Sequence, residues 1–138
     1  MVRPDKRMVQ RMWPAQLRFV GMDGHRKLKV WQDARLLVIE IYALTRALPQ
    51  DERFVTVPQL RRAAWSVTNN IAEGNARRGR PQLSQFLNCA LGSLGEIDAM
   101  MSVLADLYTV VPARIAAIDS LRIRVTRGIF RMMRAPGR

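Results

Sequence analysis

The 138 residues suit one packed domain, and 49% hydrophobic content is enough for a single core but not for two comfortable ones. No apolar run approaches the ~20 residues a membrane span requires, and basic residues interrupt the N-terminal stretch where a secretory signal would need an unbroken apolar core, so a cytoplasmic protein is expected. The net charge of +12 sits entirely at the two ends: residues 1–29 hold eight cations and two acids, residues 30–121 nine of each, and residues 122–138 six arginines and no acid. A neutral middle with basic extensions most often meets phosphate backbones or acidic surfaces. Arginine-rich ends that serve solubility alone are the plain alternative.

In chain order, residues 1–27 form a basic N-terminal extension, for which disorder is one reading. Helix one is expected at 29–48, where Trp31, Ala34, Val38, Ile41, Thr45 and Leu48 alternate at three- and four-residue steps up to Pro49. After the loop "PQDERFVT", Val57, Leu60, Ala64, Val67 and Ile71 mark helix two at 57–73, with Pro58 in its first turn, where a missing N–H has no helical partner to lose. Helix three, 81–109, carries the longest series: Leu83, Leu87, Ala90, Leu94, Ile97, Met101, Leu104 and Tyr108. A repeat of about 3.5 residues held that long favours near-parallel packing against neighbouring helices. Helix four, 112–133, opens at Pro112 and aligns Ile115, Ile118, Leu121, Val125, Ile129 and Met132, leaving 135–138 as a tail. Four helices joined by short turns imply an all-α, antiparallel, up-down-up-down four-helix bundle over residues 28–134.

Apolar and smooth surface remains once those stripes share one core. Leu37 and Leu44 widen helix one, Trp65 lies off the stripe of helix two, and Gly92, Gly95 and Ala99 make a strip of small residues on helix three. Small residues let another backbone approach, so Trp65, Gly92, Gly95 and Ala99 are expected at a homo-oligomer interface. A wider monomer core is the competing reading.

The segment "GNARRGRP", Gly74 to Pro81, shares the glycine spacing of the phosphate-binding pattern G-x-x-x-x-G-K-[ST], but Arg80 and Pro81 stand where that chemistry needs a lysine and a magnesium-holding hydroxyl. It also follows helical rather than strand spacing. Gly74 is therefore expected as a left-handed C-cap, Pro81 as the start of helix three, and Arg77, Arg78 and Arg80 as a solvated turn. The lone Cys89 excludes an internal disulfide and is expected to be a small buried side chain. The lone His25 cannot supply a di-iron site, no metal or cofactor is implied, and Arg18 with His25 gives only a weak echo of an all-helical ribonuclease pair.

Two groups of polar residues stand out. Lys27, Lys29, Arg122, Arg124, Arg127, Arg131 and Arg134 flank the bundle, and the last four recur at three- and four-residue steps, a basic stripe suited to RNA or DNA phosphates. Arg61, Arg62, Asn70, Glu73 and Glu96 are expected to form a structural network. If helix two turns back along helix three, facing residue numbers sum to roughly 155, which places Glu96 near Arg61 or Arg62. Glu73, beside the negative end of its helix, should find a donor in Arg77 or the Asn70 amide.

"LKVWQDARLLVIEIYALTRALP", "QLRRAAWSVTNNIAEGNARR" and "FLNCALGSLGEIDA" together resemble the four-helix proteins encoded by intervening sequences in bacterial 23S ribosomal RNA genes. W-Q-x-A, R-R-A-A, N-I-A-E-G and G-S-x-x-E stand in that family's order. Thr68 and Asn69 depart from its pattern, occupying the place of a common Pro-Ser pair. The resemblance implies a non-enzymatic bundle assembled as a homopentamer. It extends in fold to the accessory variability proteins of diversity-generating retroelements, which work with a reverse transcriptase. A nucleic-acid-binding accessory is the leading expectation, a protein-protein interaction scaffold without a nucleic-acid role the alternative, and a HEPN-like ribonuclease a distant third.

Overall fold

The computed structural model describes residues 24–77, 79–110 and 112–136; most of the expected N-terminal extension, with Arg18, lies outside them. Four helices carry the chain: α1 (Lys29–Arg46), α2 (Thr56–Ala76), α3 (Arg80–Leu107) and α4 (Pro112–Arg134), with short 3-10 segments at Gly24–Lys27 and Gln50–Glu52. Among the described residues there is no strand. The start and stop signals follow local chemistry. Pro81 lies in the first turn of α3 and Pro112 begins α4, positions where proline's missing donor is harmless. At the end of α1, the Ala47 N–H closes the last turn on the Leu44 and Thr45 carbonyls, and Pro49 cannot continue the helix.

Each helix contributes one apolar stripe to a common core. Leu37, Ile41 and Leu44 of α1, Leu60, Val67 and Ile71 of α2, Leu87, Ile97 and Leu104 of α3, and Ile118, Val125 and Ile129 of α4 are fully buried. Burying each such side chain is worth about 1.5–3 kcal/mol, which offsets the ordering of the helices that carry it. Leu37 and Leu44, expected as surplus surface, are core residues instead, because α4 packs against the side of α1 on which they lie. Helix α1 packs against α2 and α4, α2 against α3, and α3 against α4.

Two glycines set how closely helices approach. A Cβ on Gly128 of α4 would lie 2.6 Å from Val30 Cγ2 and 2.8 Å from Val30 Cβ, so α1 and α4 meet at a separation only glycine permits. Gly74 is not the left-handed cap that its sequence context suggests: α2 runs on to Ala76, and Gly74 is a buried helical residue with Arg77 as the extended cap. A Cβ there would sit 3.2 Å from both Leu83 Cδ1 and Phe86 Cβ. Close packing against α3, rather than a special backbone conformation, accounts for that glycine. Helix α2 runs through Thr68, whose hydroxyl donates to the Trp65 carbonyl at 2.9 Å.

These geometries separate the two positions experimentally. Gly128→Ala should lower stability by about 1–2 kcal/mol, the overpacking at Val30 outweighing the gain in helix propensity. Gly74→Ala should be within about 0.5 kcal/mol of neutral, its milder crowding offset by the same gain. Urea denaturation of the two variants checks the difference.

Candidate functional site

Three segments remote in sequence meet at one end of the bundle. The Gly24–Lys27 segment, held by Gln32 Nε2 donating to the Arg26 carbonyl at 3.0 Å, packs against α2 and brings exposed Arg26 and Lys27. The α2–α3 turn brings Arg77 and Arg80. The last turns of α4 bring Arg131 and Arg134. Arg80 joins two of these segments, its guanidinium donating to the Met133 and Ala135 carbonyls at the end of α4, where a cation also meets the negative end of the helix dipole. Arg80 is thus a cap, not the solvated turn residue its position suggests. Glu73, the acid of this region, is paired with Arg77 at 2.7 Å, as its place near the helix end requires. Arg127, Arg131 and Arg134 follow one another up the exposed face of α4 and have no ion-pair partner among the described residues. Phe130 lies among them and Ile123 about one turn before, both exposed.

The other three cations of the expected stripe have internal partners. Asp33 is almost fully buried, accepts a hydrogen bond from Lys29 Nζ at 3.1 Å and forms an ion pair with the Arg124 guanidinium at 3.5 Å. Arg122 lies 3.3 Å from Asp98 and 3.7 Å from Asp119. Lys29, Arg122 and Arg124 therefore balance acids at the helix junctions, while Lys27, Arg127, Arg131 and Arg134 remain open to a polyanion.

The expected polar network divides differently. Glu96 accepts Gln59 Nε2 at 3.0 Å rather than an arginine. Arg61 instead turns to α1, donating from Nε to Thr45 Oγ1 at 2.9 Å with its guanidinium 4.2 Å from the Tyr42 ring centre. The reason is helical geometry: Gln59, Ala63 and Ser66 lie on the α3 side of α2, and Arg61 on the α1 side. Arg62, exposed, shares with Glu96 a shallow groove of about 180 Å3 but forms no ion pair with it. The Asn70 amide donates to the Ser66 carbonyl at 2.8 Å and the Ser66 hydroxyl at 3.0 Å, leaving Glu73 to Arg77.

Of the residues expected at a subunit interface, Trp65 is 48% exposed, with its indole N–H fixed on the Tyr42 hydroxyl at 2.9 Å. Gly92 and Gly95 face open space, and Ala99 borders an apolar groove of about 270 Å3 shared with Thr56, Met100, Val103, Leu104 and Leu107. Phe54, Val55, Val103 and Leu107 are exposed beside it and were not singled out by periodicity, although their signal is simple: each is a large apolar residue outside every stripe. The connection carrying Phe54 is anchored by Glu52, which accepts hydrogen bonds from the Thr56 hydroxyl and, at 2.7 Å, from the Tyr108 hydroxyl. The Thr56 bond first, then the Tyr108 bond, holds the Glu52 carboxyl below the usual carboxylate range. The same bond to Glu52 raises the Tyr108 phenol.

Cys89 is exposed, not buried, because Leu87 and Ala90 on either side take the core-facing positions. His25 packs edge-on against Trp31 at 4.7 Å. Among the described residues no cluster of His, Cys, Asp or Glu could hold a metal ion, and no helix is long and apolar enough to cross a membrane.

An all-α chain whose four helices enclose one apolar core is a small helical bundle. The chain belongs to the 23S rRNA-intervening sequence protein family, whose pattern matches residues 26–130. A crystal structure from Bacteroides thetaiotaomicron, described as a protein of unknown function from the S23 ribosomal protein family, is similar in fold. Its TM-score is 0.69 at 19% identity, over 77% of this chain and 96% of that one. No functionally curated protein matches the sequence.

Two measurements test this arrangement. Exchanging Lys29 and Arg124 together for alanine should cost about 3 kcal/mol by stranding the buried Asp33 carboxylate, whereas each single exchange should cost below about 1 because the other cation remains. Tyr108→Phe should lower the thermal midpoint most near neutral pH. The Glu52 contribution is present above the ordinary carboxylate range and is lost as pH falls through its depressed folded value; the Tyr108 contribution is present below the ordinary phenol range and is lost as pH rises through its raised value. The gap between wild type and variant should therefore close at both extremes.

Proposed function

We propose that the protein is a non-enzymatic, homo-oligomeric bundle of up-down-up-down topology that binds nucleic-acid backbones through its basic end. The observation that carries this reading is the group Lys27, Arg127, Arg131 and Arg134, cations without an ion-pair partner among the described residues, beside the engaged Arg77 and Arg80. Free guanidinium groups at three- and four-residue steps can track successive phosphates, and each contact releases counterions. The topology is supported by the facing pairs Thr45–Arg61, Gln59–Glu96, Asp98–Arg122 and Asp33–Arg124, the partners expected of antiparallel neighbours. A closed ring of five is the assembly implied by the family resemblance. It would repeat the basic end and add weak contacts through effective concentration.

A second reading, a protein-interaction scaffold with no nucleic-acid role, is favoured by the exposed Phe54, Val55, Val103 and Leu107. A salt titration separates the two. The full chain should bind mixed-sequence RNA and DNA with affinity that falls steeply with salt. Exchange of Arg127, Arg131 and Arg134 for glutamine should reduce the log-log slope by about 0.7 per lost contact on single strands and about 0.9 on duplex DNA. Equal affinity for the two proteins, or no binding by the full chain at low salt, would leave the scaffold reading in place.

A further inference from the structure

Position 130 interrupts the basic face of α4 with a ring. Arg127, Phe130, Arg131 and Arg134 stand at steps of three, one and three residues, so the four side chains share one face of the helix over about 10 Å of its length. All four are exposed, Phe130 by 45%. Val125 and Ile129 supply the core contacts of this part of α4, and the ring lies outside their stripe. Elsewhere in the molecule a guanidinium covers a neighbouring ring: Arg61 lies 4.2 Å from the Tyr42 ring centre, Arg77 5.2 Å from that of Phe86 and Arg53 5.3 Å from that of Phe54. Phe130 has arginines before and after it in its stripe, yet among the described residues no guanidinium or second ring lies over its face. A flat apolar face is thus open in the middle of cations that have no ion-pair partner among the described residues.

Such a surface fits a ligand that alternates anions with flat apolar faces. A single nucleic-acid strand does so, because each nucleotide carries a phosphate and a base whose π-face is open once it is unpaired. A duplex offers the same phosphates but keeps its base faces stacked on one another and presents only their edges, which leaves the ring nothing to cover. A lipid surface is a poorer match. An interfacial helix needs a broad apolar face, and that of α4, with Ile118, Leu121, Val125 and Ile129, is turned into the core, while of its large apolar side chains Ile123 and Phe130 are exposed. We propose that the basic stripe of α4 takes an unpaired strand, with Phe130 stacked on a base and Arg127, Arg131 and Arg134 on the flanking phosphates. This rests on the polyanion reading and narrows its substrate to single strands. Every base has a π-face, so the site distinguishes strandedness rather than sequence.

The test uses the full chain and four probes: a mixed-sequence single strand, its duplex, inorganic polyphosphate, and phosphatidylserine–phosphatidylcholine vesicles. At moderate salt, where phosphate contacts are weakened on both nucleic acids, the wild type should bind the single strand more tightly than the duplex. Phe130→Ala should weaken single-strand binding about tenfold and leave duplex and polyphosphate binding as they were. Its salt slope should match the wild type's, because no charge is lost. Phe130→Leu, which keeps apolar bulk without a flat face, should lose as much as Phe130→Ala, and Phe130→Trp should restore binding; a ring that only braced the helix would tolerate leucine. A duplex bound as tightly as the strand, or equal weakening of strand and polyphosphate by Phe130→Ala, would overturn the stacking and leave polyanion binding standing. Vesicles bound more tightly than the strand, with that binding lost in Phe130→Ala, would overturn it in favour of a membrane surface. No binding to either nucleic acid at low salt would overturn both readings.

Discussion

Helix α4 can lie against α1 only because position 128 carries no side chain. Val30 fills the space that a Cβ would need, and no other residue would let the two backbones meet at that distance without displacing a valine of the core. Much else follows from this contact between the first and last helices. It brings Arg124 to the buried carboxylate of Asp33, encloses Leu37 and Leu44, and sets the end of α4 beside the α2–α3 turn, where Arg80 takes up its last carbonyls. The charges at the two ends of the sequence become neighbours through this closure.

The same closure sorts the cations by role. A carboxylate as buried as Asp33 must be balanced, and the cations that balance it are those at the α1–α4 junction, Lys29 and Arg124. Arg122 is drawn toward Asp98 and Asp119 at the α3–α4 junction. One step further round α4, Arg127, Arg131 and Arg134 face outward and meet no acid among the described residues. A stripe that looks uniform along the sequence is thus part internal counter-charge and part free surface, and only the free part supports the proposed contact with phosphates.

The bundle is also polarised along its length. One end gathers Lys27, Arg77, Arg80, Arg131 and Arg134, and the other presents Phe54, Val55, Val103 and Leu107 to solvent beside Arg46 and Arg53. Exposed apolar residues gathered at one place mark association surfaces more often than chance. Glu52 holds the connection that carries Phe54 in place, bonded at once to the start of α2 and to Tyr108 after α3.

The number of helices, their bounds to within a few residues and most of the core were already present in the spacing of apolar residues, because helical periodicity is local and each stripe identifies its own buried face. The family was legible for a similar reason: its motifs are short runs within single helices. Facing partners were less accessible. The expected register between α2 and α3 is met by Gln59 and Glu96, but the residue two places on from Gln59 points to a different helix, so Arg61 finds Thr45 and Tyr42 instead. Gly74 has the sequence context of a cap and the packing role of a spacer. Cys89 lies among apolar letters and faces solvent. Which side of a helix meets which neighbour depends on contacts between residues far apart in the chain, and only the packed tertiary structure decides them; that is why the sequence by itself determined the helices, the core stripe and the total charge, while the fold decided which arginines are paired and which are free.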